Sequence, residues 1–381
     1  MSQDNPWVPI NSGEEEVIKL RKIYFDGNNH TISNFNGGGA LFAYLVGGVH
    51  DLTIDNANIE CLDANLGGTL AGDVNGGEVK NVTVKNSTLI SNYKRNGGLI
   101  GWLISGTVED CEVDCVVDGI DQQAGGLIGR IDDGIVKNCS ASGSVTCGSY
   151  YSGGLVGFVV SATITGCHAT GDVTHTAGNY GRTGGLVGEV SSSLTVEKCY
   201  ATGNITSTGH FAGGLVGTIN GEGGVLNISK SYATGNVTIP ITGNFSHAGG
   251  LLGSVVNGSA TINDCYSIGA ITARRYSGGF IGTVYSKMAL TVKNGYTVSD
   301  ISALGVPDLS GEFIGRVNDG ATVACSGFVA WDVNGTRFVY GAEVPVSGNY
   351  FGTEGTVSSQ ASKLGWDTTI WDLSKDLPTL K

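Results

Sequence analysis

Apolar residues along the chain fall into short alternating runs separated by glycine, and the runs repeat. A glycine pair, two apolar residues and a further glycine stand at Gly97-Gly98-Leu99-Ile100-Gly101, and again at 125–129, 153–157, 184–188, 213–217, 249–253 and 278–282. Less regular copies begin at Gly39, Gly68 and Gly311. The first glycines of these ten copies are separated by 29, 29, 28, 28, 31, 29, 36, 29 and 33 residues. A period held this closely over the whole array is the signature of a solenoid.

The second half of each copy shows what kind. An unbroken Val/Ile column runs through Val49, Val79, Val108, Val136, Ile164, Val196, Ile228, Ile262 and Val292. Three residues later comes a small-residue column: Leu52, Val82, Cys111, Cys139, Cys167, Cys199, Ser231, Cys265 and Gly295. Two positions beyond stand Val113, Ala141, Ala169, Ala201 and Ala233, and four further Val117, Val145, Val173, Ile205 and Val237. Even offsets with β-branched residues mean strand, and the odd offset of three predicts a bend where the alternation changes phase. No copy carries the i, i+3, i+4, i+7 stripe of a helical repeat.

The prediction is an all-β, single-stranded parallel β-helix of ten coils, 28–36 residues each, right-handed by analogy with strand twist. Residues 1–35 are expected as a tail and N-terminal cap, 36–327 as the repeat array, and the aromatic, irregular segment 328–381 as the closing cap. Ala201 is placed inside the coil and Gly209 in an outer loop, so that Leu should be tolerated better at 209 than at 201.

Composition narrows the partners. A formal net charge of −13 without a basic patch disfavours nucleic acid. No run approaches the roughly 18 apolar residues of a membrane span. Glycine- and threonine-rich β repeats with few charges suit a secreted or cell-surface scaffold, monomeric, with its signal segment not in this sequence.

The Gly-Gly-Leu-Val-Gly copies, followed by Cys-Tyr-Ala-Thr-Gly as at Cys199–Gly203, resemble the GLUG repeat family of bacterial surface proteins. Such repeats accompany immunoglobulin A1 proteases of the zinc metallopeptidase type. The resemblance implies a surface scaffold for adhesion or for binding a host glycoprotein, glycan or immunoglobulin. It does not imply proteolysis, because the His-Glu-x-x-His signature is absent from the chain.

Candidate chemistry is sparse. The stacked cysteines read as small buried hydrophobes, since a column presents side chains in a line whereas zinc needs four ligands around a point. The six histidines have no partner at metal or triad spacing and read as turn or surface residues; no metal or cofactor is expected. Asp132-Asp133 and Asn318-Asp319, each before glycine, read as turns. No aligned column gathers the carboxylates that a β-helical polysaccharide lyase or glycoside hydrolase needs, although an enzyme of that class is an alternative, as is a mechanical stalk. The feature that stands out is the edge ahead of each glycine pair, with Arg95, Tyr151, Arg182, Phe211 and Tyr276 two residues upstream and Tyr180 and Phe245 four upstream. Flat faces of this kind suit a sugar chain or a peptide, and equally a stabilising ladder.

Overall fold

The computed structural model describes residues 9–10, 22–62, 67–92, 94–176, 178, 180–240, 245–303, 310–326, 329–330, 339–341 and 357–381. Within them the chain is a parallel β-solenoid of about nine turns, ten motif copies bounding nine intervals. The coil from Tyr151 shows the plan. An edge strand, Tyr151–Gly153, leads into a long strand, Val156–Thr165, followed by two short strands, His168–Ala169 and Val173–His175. Each pairs in parallel with its counterpart in the next coil, and the edge strands form a separate seven-stranded sheet.

The Val/Ile column is a straight interior file. Val49 pairs with Val79, Val79 with Val108, and so on through Val136, Ile164, Val196 and Ile228 to Ile262 and Val292, every member 0–1% exposed. Burying each such side chain contributes about 1.5–3 kcal/mol, which a lone coil could not secure because the residue above and below is half its cover.

The predicted bend lies one residue before the small-residue column. Asp51, Asn81, Asp110, Asn138, Gly166, Lys198, Lys230, Asp264 and Asn294 all have φ between 50° and 66°. A single left-handed residue turns the chain and restores both flanking side chains to the interior. Side-chain amides reinforce the file of corners: Asn138 Nδ2 donates to Asp110 Oδ1 at 3.1 Å and Asn294 Nδ2 to Asp264 Oδ1 at 2.8 Å. Inside the corner the cysteines serve the backbone. The Cys139 amide donates to Cys167 Sγ at 3.3 Å, while Cys139 Sγ donates to the Lys137 carbonyl at 3.0 Å. All nine cysteines are buried.

The glycine motif is a sharp reversal at which two layers of backbone touch. A Cβ on Gly126 would lie 2.2 Å from the Gly154 carbonyl oxygen and 2.9 Å from Ala141 Cβ; one on Gly129 would lie 2.5 Å from the Asn96 amide nitrogen. The same contacts explain the alanine column, since Ala141, Ala169, Ala201 and Ala233 face the second glycine of a motif across the thin end of the core. Gly209 corrects the sequence expectation. It is buried, and a Cβ there would meet the Gly181 backbone at 2.3–2.6 Å, because its turn stacks directly on the turn of the preceding coil.

Two further expectations are revised in part. Asp132-Asp133-Gly134 lies within the continuous strand Ile128–Lys137, whereas Asn318-Asp319-Gly320 does form a turn. Of the segment expected to close the far end, residues 357–381 lie along the flank of the solenoid. Ala361, Trp366 and Trp371 bury against Tyr232, Tyr266 and Tyr296, and Tyr266 Oη donates to the Pro378 carbonyl at 2.7 Å. Trp331, Tyr350 and Phe351, and the cap residues Glu14 to Arg21, lie outside the described residues.

Candidate functional site

Because the glycine motif folds the edge strand back on the long strand, the side chain two residues before the motif meets the one immediately after it. Arg95 Cζ stands 3.8 Å from the centre of the Trp102 ring, and Arg130 Cζ lies 5.6 Å from Trp102 and 5.1 Å from Phe158. Tyr151 packs on Phe158 with centroids 4.9 Å apart, and Arg182 covers the Tyr151 ring at 5.4 Å. Phe211 stacks on His247 at 5.0 Å, His247 on Tyr276 at 4.9 Å, and Arg316 lies 4.5 Å over Tyr276. The two columns thus zip together into a ladder of stacked cations and rings along the edge of the solenoid.

This ladder separates the seven expected ligand-binding residues into two groups. Arg95, Tyr151, Arg182, Phe211 and Tyr276 belong to the ladder, their faces taken up by neighbours, with Phe211 and Tyr276 buried. Tyr180 and Phe245 are 62% and 57% exposed. His210 sits between them, its ring 5.7 Å from that of Tyr180 and 5.5 Å from that of Phe245. These three rings form a second row, outside the ladder, on stacked turns of successive coils. Arg182 joins the rows: its Nη1 donates to the Tyr180 carbonyl at 3.0 Å. Tyr93, upstream of Arg95 at the equivalent place, lies outside the described residues.

Two ionisable groups in the ladder are strongly perturbed. Glu189 is ion-paired with Arg182, yet its side chain is only 4% exposed, and burial pushes its carboxyl up to about 7 against the pull of Arg182. His247 is buried to 2% exposure; its Nδ1 shares a 2.7 Å hydrogen bond with Thr283 Oγ1, and burial pushes the ring down to about 3. His175 is likewise buried, with Nε2 2.8 Å from the Ser149 carbonyl oxygen. The expectation of turn or surface placement therefore fails for His175 and His247, because each ring fills a gap between stacked turns. The Glu189 carboxyl is thus enclosed within the ladder and not presented at its surface.

One mixed group could hold a cation. Asp26 and His50 are register partners in neighbouring coils, and with Asp51 their ligand atoms lie within 4.8 Å of one another on the exposed surface. Spacing along the sequence does not reveal it, because the ligands come from different turns.

Sequence reasoning also missed the inner half of the ladder and a second stack. Trp102, Arg130, Phe158 and Arg316 directly follow the last glycine of their motifs, a position that was readable. His168, Tyr200, Tyr232 and Tyr266 follow the cysteine column and stack face to face at 4.6–4.9 Å. Among the described residues no helix is long and apolar enough to cross a membrane. No curated protein and no solved structure matches the chain. The GLUG motif family model matches residues 121–146 and 148–174, so two consecutive coils of this solenoid, the second including Tyr151, carry the GLUG motif.

Proposed function

We propose that the chain is a non-catalytic, extracellular scaffold that holds a glycan or glycoprotein along its aromatic edge, as an adhesive or accessory region of a bacterial surface protein of the immunoglobulin A1 protease kind. The observation that carries this reading is the row Tyr180, His210 and Phe245. Two large rings stand more than half exposed side by side with His210, next to a ladder whose Phe211, His247 and Tyr276 are buried. Rings in line on successive coils suit stacking against an extended chain of sugar rings. The length of the ladder supports a mechanical contribution as well, since self-stacked side chains stiffen the array.

The test is a glycan array probed with the wild-type chain and with a Tyr180→Ala/Phe245→Ala variant. The proposal expects a defined set of glycans to be retained by the first and lost by the second, with unchanged melting temperature. Turnover of a bound glycan would favour a polysaccharide-active enzyme, and equal retention by both chains would place binding elsewhere.

A further inference from the structure

Along the corner that follows the Val/Ile column, lysines of neighbouring coils answer the carboxylates of Glu109, Asp110 and Glu197. Lys80 Nζ lies 3.5 Å from Glu109 Oε2 and 3.8 Å from Asp110 Oδ2, and Lys230 Nζ donates to Glu197 Oε1 at 2.9 Å. The first two coils of the same file differ. There Asp26, His50, Lys80 and Glu109 succeed one another in register, but Lys80 is taken by the acids of the following coil. Asp26 and Asp51 close on an imidazole instead: His50 Nδ1 lies 3.5 Å from Asp26 Oδ1 and 2.9 Å from Asp51 Oδ2. Two carboxylates thus converge on a ring that carries no charge in its neutral form. Both are oriented from outside the trio, since Asn81 Nδ2 donates to Asp51 Oδ1 and the Asn28 amide donates to Asp26 Oδ1 at 2.7 Å.

We infer that Asp26, His50 and Asp51 bind a divalent transition ion, with zinc the best fit, and that the ion staples the first of these coils to the second. The three donor atoms lie within 4.8 Å of one another. Donors around tetrahedral zinc, at bonds of about 2.0–2.1 Å, stand about 3.3 Å apart, which falls between the two separations measured from His50. One imidazole nitrogen with two carboxylate oxygens selects zinc and its neighbours over calcium or magnesium, which want oxygen on every side. All three side chains reach solvent, so water can fill the remaining positions. Asp26 comes from the strand Lys22–Ser33, and His50 and Asp51 from Phe42–Asp55, so a shared ion links two turns. End coils of a solenoid gain least from their neighbours and benefit most from such a link. Binding competes with the proton on His50. The hydrogen bond to Asp51, then the charges of Asp26, Asp51 and Glu78, raise that ring above its ordinary value, so zinc is displaced as pH falls through it.

Calorimetric titration and thermal melting of the full chain, free of any affinity tag and stripped with a chelator, test this with zinc, magnesium and calcium chlorides. Zinc should bind once per chain at about pH 7.5 and raise the melting temperature, while magnesium and calcium do neither. Its affinity should fall at least about tenfold at about pH 5.5, where His50 is protonated. His50→Gln and Asp26→Asn, both at exposed positions, should melt like the wild type in chelator, lose the zinc-dependent rise and bind zinc at least about tenfold more weakly. Cobalt should report the same site by a visible absorption band that either variant abolishes. Zinc binding that is equal in the wild type and both variants would overturn the assignment and place the ion elsewhere. The absence of zinc binding, or an equal response to calcium, would overturn it as well.

Discussion

The Arg95 guanidinium lies 3.8 Å above the Trp102 indole, although the two side chains leave different strands on opposite arms of the glycine reversal. The pair is a direct product of the motif, which brings the edge strand against the long strand and sets the residues at its two ends side by side. Trp102→Ala should lower stability by about 1–2 kcal/mol, and Arg95→Gln by about 0.5–1 kcal/mol, with Arg95→Lys nearer wild type. Urea denaturation of the three variants measures this. Equal effects of Gln and Lys at position 95 would mean that the contact is packing and not charge.

Glycine substitutions should divide by position. Gly126→Ala forces a methyl to 2.2 Å from the Gly154 carbonyl oxygen and should cost about 3 kcal/mol or prevent folding. Gly38→Ala, where the nearest atom is 3.9 Å away, should change the melting temperature little. Ala201→Leu and Gly209→Leu should both be severe, since one drives into the Gly185 backbone and the other into Gly181. Circular dichroism melts of the four variants decide the matter.

Stability should respond to pH through two ladder residues of opposite sign. The His247 ring titrates at about 3 in the fold against 6.5 in the open chain, so the unfolded state takes up the proton first, and stability is lost as pH falls from 6.5 toward 3. Glu189 titrates at about 7 against 4.5, so the folded state holds the proton, and its contribution, complete below pH 4.5, is lost as pH rises through 7. His247→Phe should flatten the acid limb and Glu189→Gln the limb between 4.5 and 7, as read by melting temperature against pH. A wild-type slope retained in either variant would assign that limb to another group.

The thiols should be silent until the chain opens. Burial raises Cys61, Cys115 and Cys325 to about 12, and Cys139 and Cys167 also move upward. A thiol reagent should label none of the nine cysteines in native buffer and all nine in denaturant. Rapid labelling of Cys139 or Cys167 in the native chain would show that the corner is open.

Much of this architecture was legible in the sequence because a solenoid writes its interior as columns. Val49 to Val292, the cysteines and the alanines could be aligned by eye, and the odd offset between the first two files announced the corner. What could not be read was contact between columns. Trp102 and Arg95 sit seven residues apart, and only the tightness of the glycine reversal, set by backbone approach, decides that they meet. Gly209 looked like a loop residue because glycine in a turn has no pattern of its own, and its role depends on Gly181 one coil away. The exposure of Tyr180 and Phe245 was hidden for the same reason. Sequence offset placed them with Arg182 and Tyr276, while the stacking of turns put the first pair outside and the second within. Residues 357–381 carried aromatic residues but no repeat, so nothing in their order said that Trp366 and Trp371 would pack on Tyr232 and Tyr266.

Each of these claims depends on one coil lying directly on the next. Spin-label distances measure that directly, using the exposed face of the Val/Ile corner, where Lys137, Thr165, Glu197, Ser229, Asn263 and Lys293 succeed one another in register. Labels paired as Lys137→Cys with Ser229→Cys, Asn263→Cys or Lys293→Cys should give narrow distributions near about 14, 19 and 24 Å, a constant step of about 4.8 Å per coil. Distances that do not grow with coil number, or broad distributions for every pair, would contradict the stacked solenoid and the edge built on it.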